Sequence, residues 1–353
     1  MPLLRILLSI FRLLPQSFYQ AVIGKKAVHY DGRTLQPRAQ GFNAVSRITG
    51  SPKGEEDVDK MRQTYDLAGQ VLDGAPPTVA AIRDLKIDLK GRTLAARLYD
   101  NGSVTEKKGL ILYFHGGGFV IGGLKSHDHF CRRLARDSGL RVLAVDYRLA
   151  PEHPYPAPIE DALDTWAWLY DQGNDLHFDP DKVIVSGDSA GGLISMVIAN
   201  HVAKSRAKKI LKPAALGLLY PSCDMTITDP RYQDLRDLEV MMGDRLMDWF
   251  FRRYFTGTNF PEDSSILKNI DVSPALVPDS ILKKWPPVYL MAAGFDPLRP
   301  GCEALRDRLQ ALDHSLDYKE YDDLFHGFIT MSGVFPETVK LTQDMAAFFK
   351  KHV

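Results

Sequence analysis

Short apolar runs alternate with stretches of helical period from about Leu85 to the end of the chain. The runs predict strands at 85–89, 94–99, 110–114, 141–146, 182–186, 214–220, 287–293 and 316–321. Runs such as Leu110-Ile111-Leu112-Tyr113-Phe114 and Val142-Leu143-Ala144-Val145 are continuous rather than alternating, which suits strands covered on both faces. Helical spacing predicts helices over 158–170, 190–203, 301–312 and 337–349. A further helix opens after Ser126, read as its N-cap, and runs through His129, Phe130 and Leu134. Strands alternating with helices imply an α/β fold on a mostly parallel sheet of eight strands with right-handed crossovers. The first two strands have no helix between them and are expected to pair as an antiparallel hairpin at one edge.

Two regions break the alternation, 1–77 and 223–271. The second holds Met241, Met242, Met247, Trp249, Phe250, Phe251, Tyr254 and Phe255. Helices rich in such residues normally fill a core. This one interrupts the sheet between two strands, where no further core is required, so it is read as a lid or cap. The expected organisation is an N-terminal helical segment (1–77) contributing to the cap, a catalytic core (78–222), a cap insertion (223–271) and the rest of the core (272–353).

Composition acts mainly by exclusion. The 353 residues, 45% hydrophobic and 25% charged, suit one large globular unit. Equal numbers of basic and acidic residues, 44 each, argue against a nucleic-acid partner. Cys131, Cys223 and Cys302 are few, odd in number and widely spaced, which predicts buried free thiols rather than disulfides or a zinc site. In residues 1–24, Leu4, Leu7, Leu8, Phe11 and Leu14 share one helical face. Arg5 and Arg12 make the run too short and too charged to span a bilayer. No clean apolar stretch ends in a small-residue cleavage site. Three readings stay open: a helix packed on the rest of the protein, a membrane-surface anchor, or an atypical export signal. The expected location is cytoplasmic, with peripheral membrane association or export as alternatives.

The chemistry is carried by short motifs. Gly187-Asp188-Ser189-Ala190-Gly191 follows a predicted strand and opens an apolar helix through Leu193, Ile194, Val197 and Ile198. Small residues two positions either side of the serine allow a sharp turn that exposes its hydroxyl, and the helix N-terminus offers N–H groups where negative charge develops. His115-Gly116-Gly117-Gly118-Phe119 ends the strand at 110–114. Consecutive glycines let backbone N–H groups turn toward a substrate oxygen, as an oxyanion hole requires. His115 is read as shaping that loop, not as a base. A serine needs a base, and the base an orienting acid; in this setting they follow in the order Ser, Asp or Glu, His. Of the later histidines, His201 lies inside the helix after the serine, His314 in an unremarkable loop and His352 at the terminus. His326, in Leu324-Phe325-His326-Gly327-Phe328, follows the last strand and can reach back over Ser189. Asp296, in Gly294-Phe295-Asp296-Pro297-Leu298, follows the strand before it; Asp322 and Asp323 stand too near His326 to orient it easily.

Together these segments, with Asp146-Tyr147-Arg148-Leu149-Ala150-Pro151-Glu152, resemble the hormone-sensitive lipase family of esterases, the bacterial family IV, in its branch with Asp before the serine. The resemblance covers about Leu110 to Phe328. It implies a carboxylesterase for short- to medium-chain esters, acting through an acyl-enzyme on an α/β-hydrolase core, with Ser189, Asp296 and His326 as triad. The oxyanion donors would be the N–H groups of Gly117, Gly118 and Ala190, with Gly116 a weaker candidate. The segment 148–152 would be a structural brace with a buried ion pair. No metal or organic cofactor is implied, the partner is a small-molecule ester, and family members are often homodimers. One departure is Arg299-Pro300-Gly301, which replaces the acidic pair usual after Asp-Pro-Leu-Arg. Two rival readings keep the fold: a membrane-associated lipase that docks through 1–24, and a non-catalytic ligand receptor, which would usually show a broken triad.

Overall fold

The structure is a computed structural model and describes residues 13–23, 27–49, 57–102, 107–172, 176–207 and 209–353, with the single positions 6 and 10. Eight strands form one sheet: β1 (Ala81–Leu89), β2 (Arg92–Asp100), β3 (Lys108–Phe114), β4 (Arg141–Asp146), β5 (Phe178–Asp188), β6 (Ala215–Leu219), β7 (Val288–Phe295) and β8 (Leu316–Phe325). Their spatial order is β8-β7-β6-β5-β3-β4-β2-β1. β1 pairs antiparallel with β2 and β2 with β4; every other pair is parallel. Each of the eight predicted runs is a strand, most of them longer than the apolar run itself. A small hairpin of His29–Tyr30 with Arg33–Thr34 has no counterpart in the apolar pattern.

Side chains along a strand point alternately to the two faces, and each face here has its own core. In β3, Leu110, Leu112 and Phe114 enter one cluster, and Ile111 and Tyr113 the other. The same alternation holds in β7, with Val288, Leu290 and Ala292 against Tyr289, Met291 and Ala293. Double coverage is why these strands read as unbroken apolar runs. One face is covered by α5 (Ala157–Gln172), α6 (Ala190–Lys204) and α9 (Arg299–Ala311), the other by α4 (Asp128–Ser138) and α10 (Glu337–Lys350). α6 is buried all round from Ala190 to Asn200, mostly by apolar residues, and its buried Ser195 and Asn200 are hydrogen-bonded. At α4 the expectation fails. The N-cap is His127, without a side-chain cap bond, and Ser126 Oγ instead bonds the N–H and carbonyl of Gly123. The hydroxyl closes a turn in the loop before the helix rather than capping it.

The two irregular regions lie over the C-terminal ends of the strands. From the N-terminal one come α1 (Gln16–Ile23), α2 (Pro37–Thr49) and α3 (Val58–Leu72); from the insertion come α7 (Pro230–Asp237) and α8 (Asp244–Tyr254). α3 and α8 meet over one loop: Val58, Met61 and Tyr65 join Trp249 and Phe250 around Val120, Ile121 and Ala150. Arg62 fastens α3 there, donating to the carbonyls of Val120 and Ala150 at 2.9 Å and pairing with Glu152 at 2.7 Å. The two ends of the insertion are tied to each other. Met225 N–H donates to Ser273 Oγ (2.8 Å) and Ala275 N–H to the Cys223 carbonyl (3.0 Å).

Leu14 is half-buried against the second core and Tyr19 packs on α2 at Gly41. Ile6, Ile10 and Leu13 are helical and exposed. Leu4, Arg5, Leu7, Leu8, Phe11 and Arg12, on which the reading of 1–24 rests, lie outside the described residues, and so does Gly24. Among the described residues no helix is long and apolar enough to cross a membrane. All three cysteines are free and buried.

Candidate active site

Ser189 sits where β5 becomes α6, with φ 54° and ψ −117°. A non-glycine residue in that region is strained, and the neighbouring geometry explains why it persists. The Ser189 N–H is held by the Leu219 carbonyl at 2.9 Å. A Cβ on Gly187 would overlap Gly191, and one on Gly191 would overlap the Phe114 carbonyl. Two glycines let strand and helix approach closely enough to force the serine outward.

His326 follows β8 and turns back at Gly327, whose φ is 86°. Its Nε2 lies 2.8 Å from Ser189 Oγ and its Nδ1 2.7 Å from Asp296 Oδ2. A carboxylate only accepts, so Nδ1 carries the proton and Nε2 is left to accept from the serine hydroxyl. Asp296 is fully buried, and its other oxygen accepts the Leu298 N–H at 2.8 Å. The His326 ring lies 4.5 Å from the Tyr220 ring. The departure at 299–301 leaves this loop closed: α9 begins at Arg299, whose buried guanidinium pairs with Asp31 (2.9 Å) and Glu303 (3.4 Å).

The glycine loop faces the serine. Gly117 and Gly118 have φ of 119° and 58°, and the Gly117 carbonyl accepts from Val120 and Ile121 N–H, both at 3.0 Å. No hydrogen bond among the described residues uses the N–H of Gly117, Gly118 or Ala190. Gly116 differs: its N–H is taken by Asp188 Oδ1 at 2.9 Å, which removes it from the candidate donors. His115 is buried, stacks on Tyr147 at 4.3 Å and donates from Nδ1 to the Gly116 carbonyl at 2.8 Å. Burial, reinforced by nearby His127, lowers its pKa from 6.5 to about 3, so the ring is neutral.

Asp188 is a residue the motif reading left without a role. It is buried and accepts from the Tyr113 hydroxyl (2.7 Å) and Gly116 N–H, with His127 Nε2 at 3.4 Å. Burial alone would raise its pKa, but His127 and the Tyr113 hydrogen bond outweigh it and the carboxyl is held below its usual value. A Cβ on Gly116 would overlap this carboxylate. Asp188 thus joins the serine turn to the glycine loop; its place one residue before Ser189 was the available signal. Segment 148–152 also differs from expectation. Arg148 pairs with buried Asp161 at 2.8 Å, outside the segment, while Glu152 is exposed and serves Arg62.

Above these groups lies a cavity of about 210 Å³ that Ser189, His326, Gly117, Gly118 and Ala190 all line. Its roof is apolar. Met61 and Tyr65 come from α3, and Met225, Met241, Met242, Met247 and Phe250 from the insertion. With Met331, six of the ten methionines in the chain face this one space. Among the described residues no cluster of His, Cys, Asp and Glu could hold a metal ion.

A mostly parallel sheet with a strained serine on its central strand–helix turn and a glycine loop facing it defines an alpha/beta hydrolase. The family profile of that fold matches residues 111–330. The carboxylic ester hydrolase LipN of Mycobacterium tuberculosis is 32% identical over 93% of this chain and 86% of its own. Ethyl acetate hydrolase of Pseudomonas putida is 29% identical over 80% and 86%. A solved hyperthermophilic esterase of the archaeon Pyrobaculum calidifontis superposes with a TM-score of 0.81 at 30% identity, covering 90% of this chain and 98% of that one. The chain belongs to the hormone-sensitive lipase-like family of carboxylic ester hydrolases within the alpha/beta hydrolases.

Proposed function

We propose that the chain hydrolyses carboxylic esters of short to medium acyl length through an acyl-enzyme on Ser189. The carrying observation is the continuous chain Ser189 Oγ–His326–Asp296 beside three N–H groups that no described residue accepts. As Oγ attacks the ester carbonyl carbon, His326 Nε2 takes its proton and Asp296 steadies the resulting imidazolium. The N–H groups of Gly117, Gly118 and Ala190 receive the oxyanion. The tetrahedral intermediate collapses, the C–O bond to the alcohol breaks, and His326 returns the proton to the departing oxygen. Water, deprotonated by His326, then releases the acid by the same steps. His115, neutral and engaged with Gly116, holds the loop. The short-chain reading draws on the small apolar cavity and on relatives whose names specify ethyl acetate and acetyl esters. Segments 1–77 and 223–271 act together as the cap.

p-Nitrophenyl acetate and butyrate turnover test this. Ser189→Ala should lose on the order of a hundred-thousandfold or more in kcat. Equal turnover in the two proteins sinks the assignment.

A second reading places the enzyme against a lipid surface through its N-terminal segment, because Ile6, Ile10 and Leu13 are exposed on described positions. Replacing these three by Ser should abolish co-sedimentation with anionic vesicles; an intact protein that never sediments removes this reading.

A further inference from the structure

Beside the catalytic cavity lies a second one, of about 410 Å³, on the far side of the Asp296 loop. Ile227, Pro230, Tyr232, Leu276, Pro297 and Leu305 line it, together with Asp224, Asp229 and Arg308. The two spaces are near neighbours along the chain. Ser222 and Met225 face the catalytic cavity, while Cys223 and Asp224 between them face the second. Among the described residues, one lines both: Leu298. Its side chain packs with Met242 and Met247 of the catalytic cavity and with Tyr232 of the second.

We propose that Leu298 is the partition that sets the acyl-length limit, and that the second cavity is the subsite a longer aliphatic chain would occupy once that partition is reduced. The inference rests on the nucleophile reading given above and adds where the chain goes beyond the carbonyl. Three observations support it. Leu298 is an aliphatic side chain common to both spaces, so shortening it removes apolar bulk from the boundary between them. Two of its neighbours, Met242 and Met247, are methionines, which re-pack around a new shape more readily than branched side chains. What Leu298 gives the triad is its backbone N–H, the donor to Asp296 Oδ1, and a shorter side chain keeps that donor.

The test is a chain-length series of p-nitrophenyl acetate, butyrate, octanoate and dodecanoate on the full chain. The proteins are wild type, Leu298→Ala, Ala304→Trp and the double variant. Ala304 is exposed on α9 and lines only the second cavity, so Trp there fills that space from outside the catalytic site. In Leu298→Ala the ratio of kcat/KM for dodecanoate over butyrate should rise about tenfold or more, the scale on which hydrophobic pockets discriminate chain length. The double variant should return toward the wild-type ratio, and Ala304→Trp alone should match it. Leu298→Val, a milder change, should move the ratio the same way by a smaller factor and is read if Leu298→Ala does not fold. An equal loss on all esters marks Leu298 as merely structural and overturns the inference. So does a gain that survives in the double variant, because the chain then runs elsewhere. An unmoved ratio, with turnover lost in Ser189→Ala, overturns this inference alone; turnover that survives Ser189→Ala overturns both readings.

Discussion

Below the catalytic cavity, polar side chains are held by specific partners: Asp296 by His326 and the Leu298 N–H, Asp188 by Tyr113, Gly116 and His127, His115 by the Gly116 carbonyl. Above it, Met61, Met225, Met241, Met242, Met247 and Phe250 arrive from two distant parts of the chain and present no hydrogen-bonding group beyond sulfur. The floor fixes directions. Its donors and acceptors have one productive arrangement, and glycines are placed where a Cβ would destroy it. Apart from the Tyr65 hydroxyl, the roof fixes mainly a volume, and unbranched thioether side chains adapt to whatever fills it. On the proposed reading, reaction type and substrate range are carried by different parts of the molecule with different tolerance for change.

The sharpest break of that contrast lies in the floor. Asp296→Asn preserves shape but disturbs the proton on His326, and kcat should fall by about ten-thousandfold with KM little changed; a loss below about a hundredfold would show that the acid is not what orients the base. Next comes Asp188→Ala, which leaves the Tyr113 hydroxyl and Gly116 N–H buried without an acceptor, each worth roughly 1–3 kcal/mol. Urea midpoints and kcat should drop together, because the glycine loop loses its tie to the serine turn.

A pH series on His115→Gln probes the same floor more gently. Folded His115 titrates near 3 and the unfolded side chain near 6.5, so between these values only the unfolded chain takes the proton. Stability attributable to this group is therefore complete above pH 6.5 and declines as pH falls, by about 1.4 kcal/mol per pH unit. Wild type should lose stability faster than the variant over that window; parallel curves would contradict a buried neutral ring. The smallest effect belongs to the roof. Met242→Leu conserves volume and should move stability by under about 1.5 kcal/mol and any kcat/KM by less than about tenfold. A Met242→Leu loss as large as that of Asp188→Ala would erase the distinction between the two surfaces.

The same division governs how much could be read in advance. The central strands were visible because double burial writes itself as an unbroken apolar run, whereas β1 and β8, at the two edges, alternate or carry charges along their exposed positions; the convergence of Ser189, Asp296 and His326 could be anticipated because strand ends, glycines and chain order constrain them. Asp188 stood next to the serine, yet its partners Tyr113 and His127 come from a strand and a loop whose proximity only folding creates. Ser126 looked like a helix cap because a hydroxyl before an apolar helix normally is one; here the turn at Gly123 claims it. The ion pair of Arg148 was expected within its own segment, whereas Asp161 lies a helical turn into α5. The roof was legible as an insertion rich in methionine, but not which methionines share a cavity with Met61 and Met331, since that depends on three separate stretches converging.

The insertion leaves the sheet after β6 and returns before β7, and both crossings are latched by the Met225–Ser273 and Ala275–Cys223 hydrogen bonds. A loop closed at its base is a cassette. Lineages can lengthen, trim or exchange what lies between those two points while the register of the strands, and with it the placement of Ser189, stays as it was. Diversification of appetite in such enzymes then requires no renegotiation of the chemistry beneath.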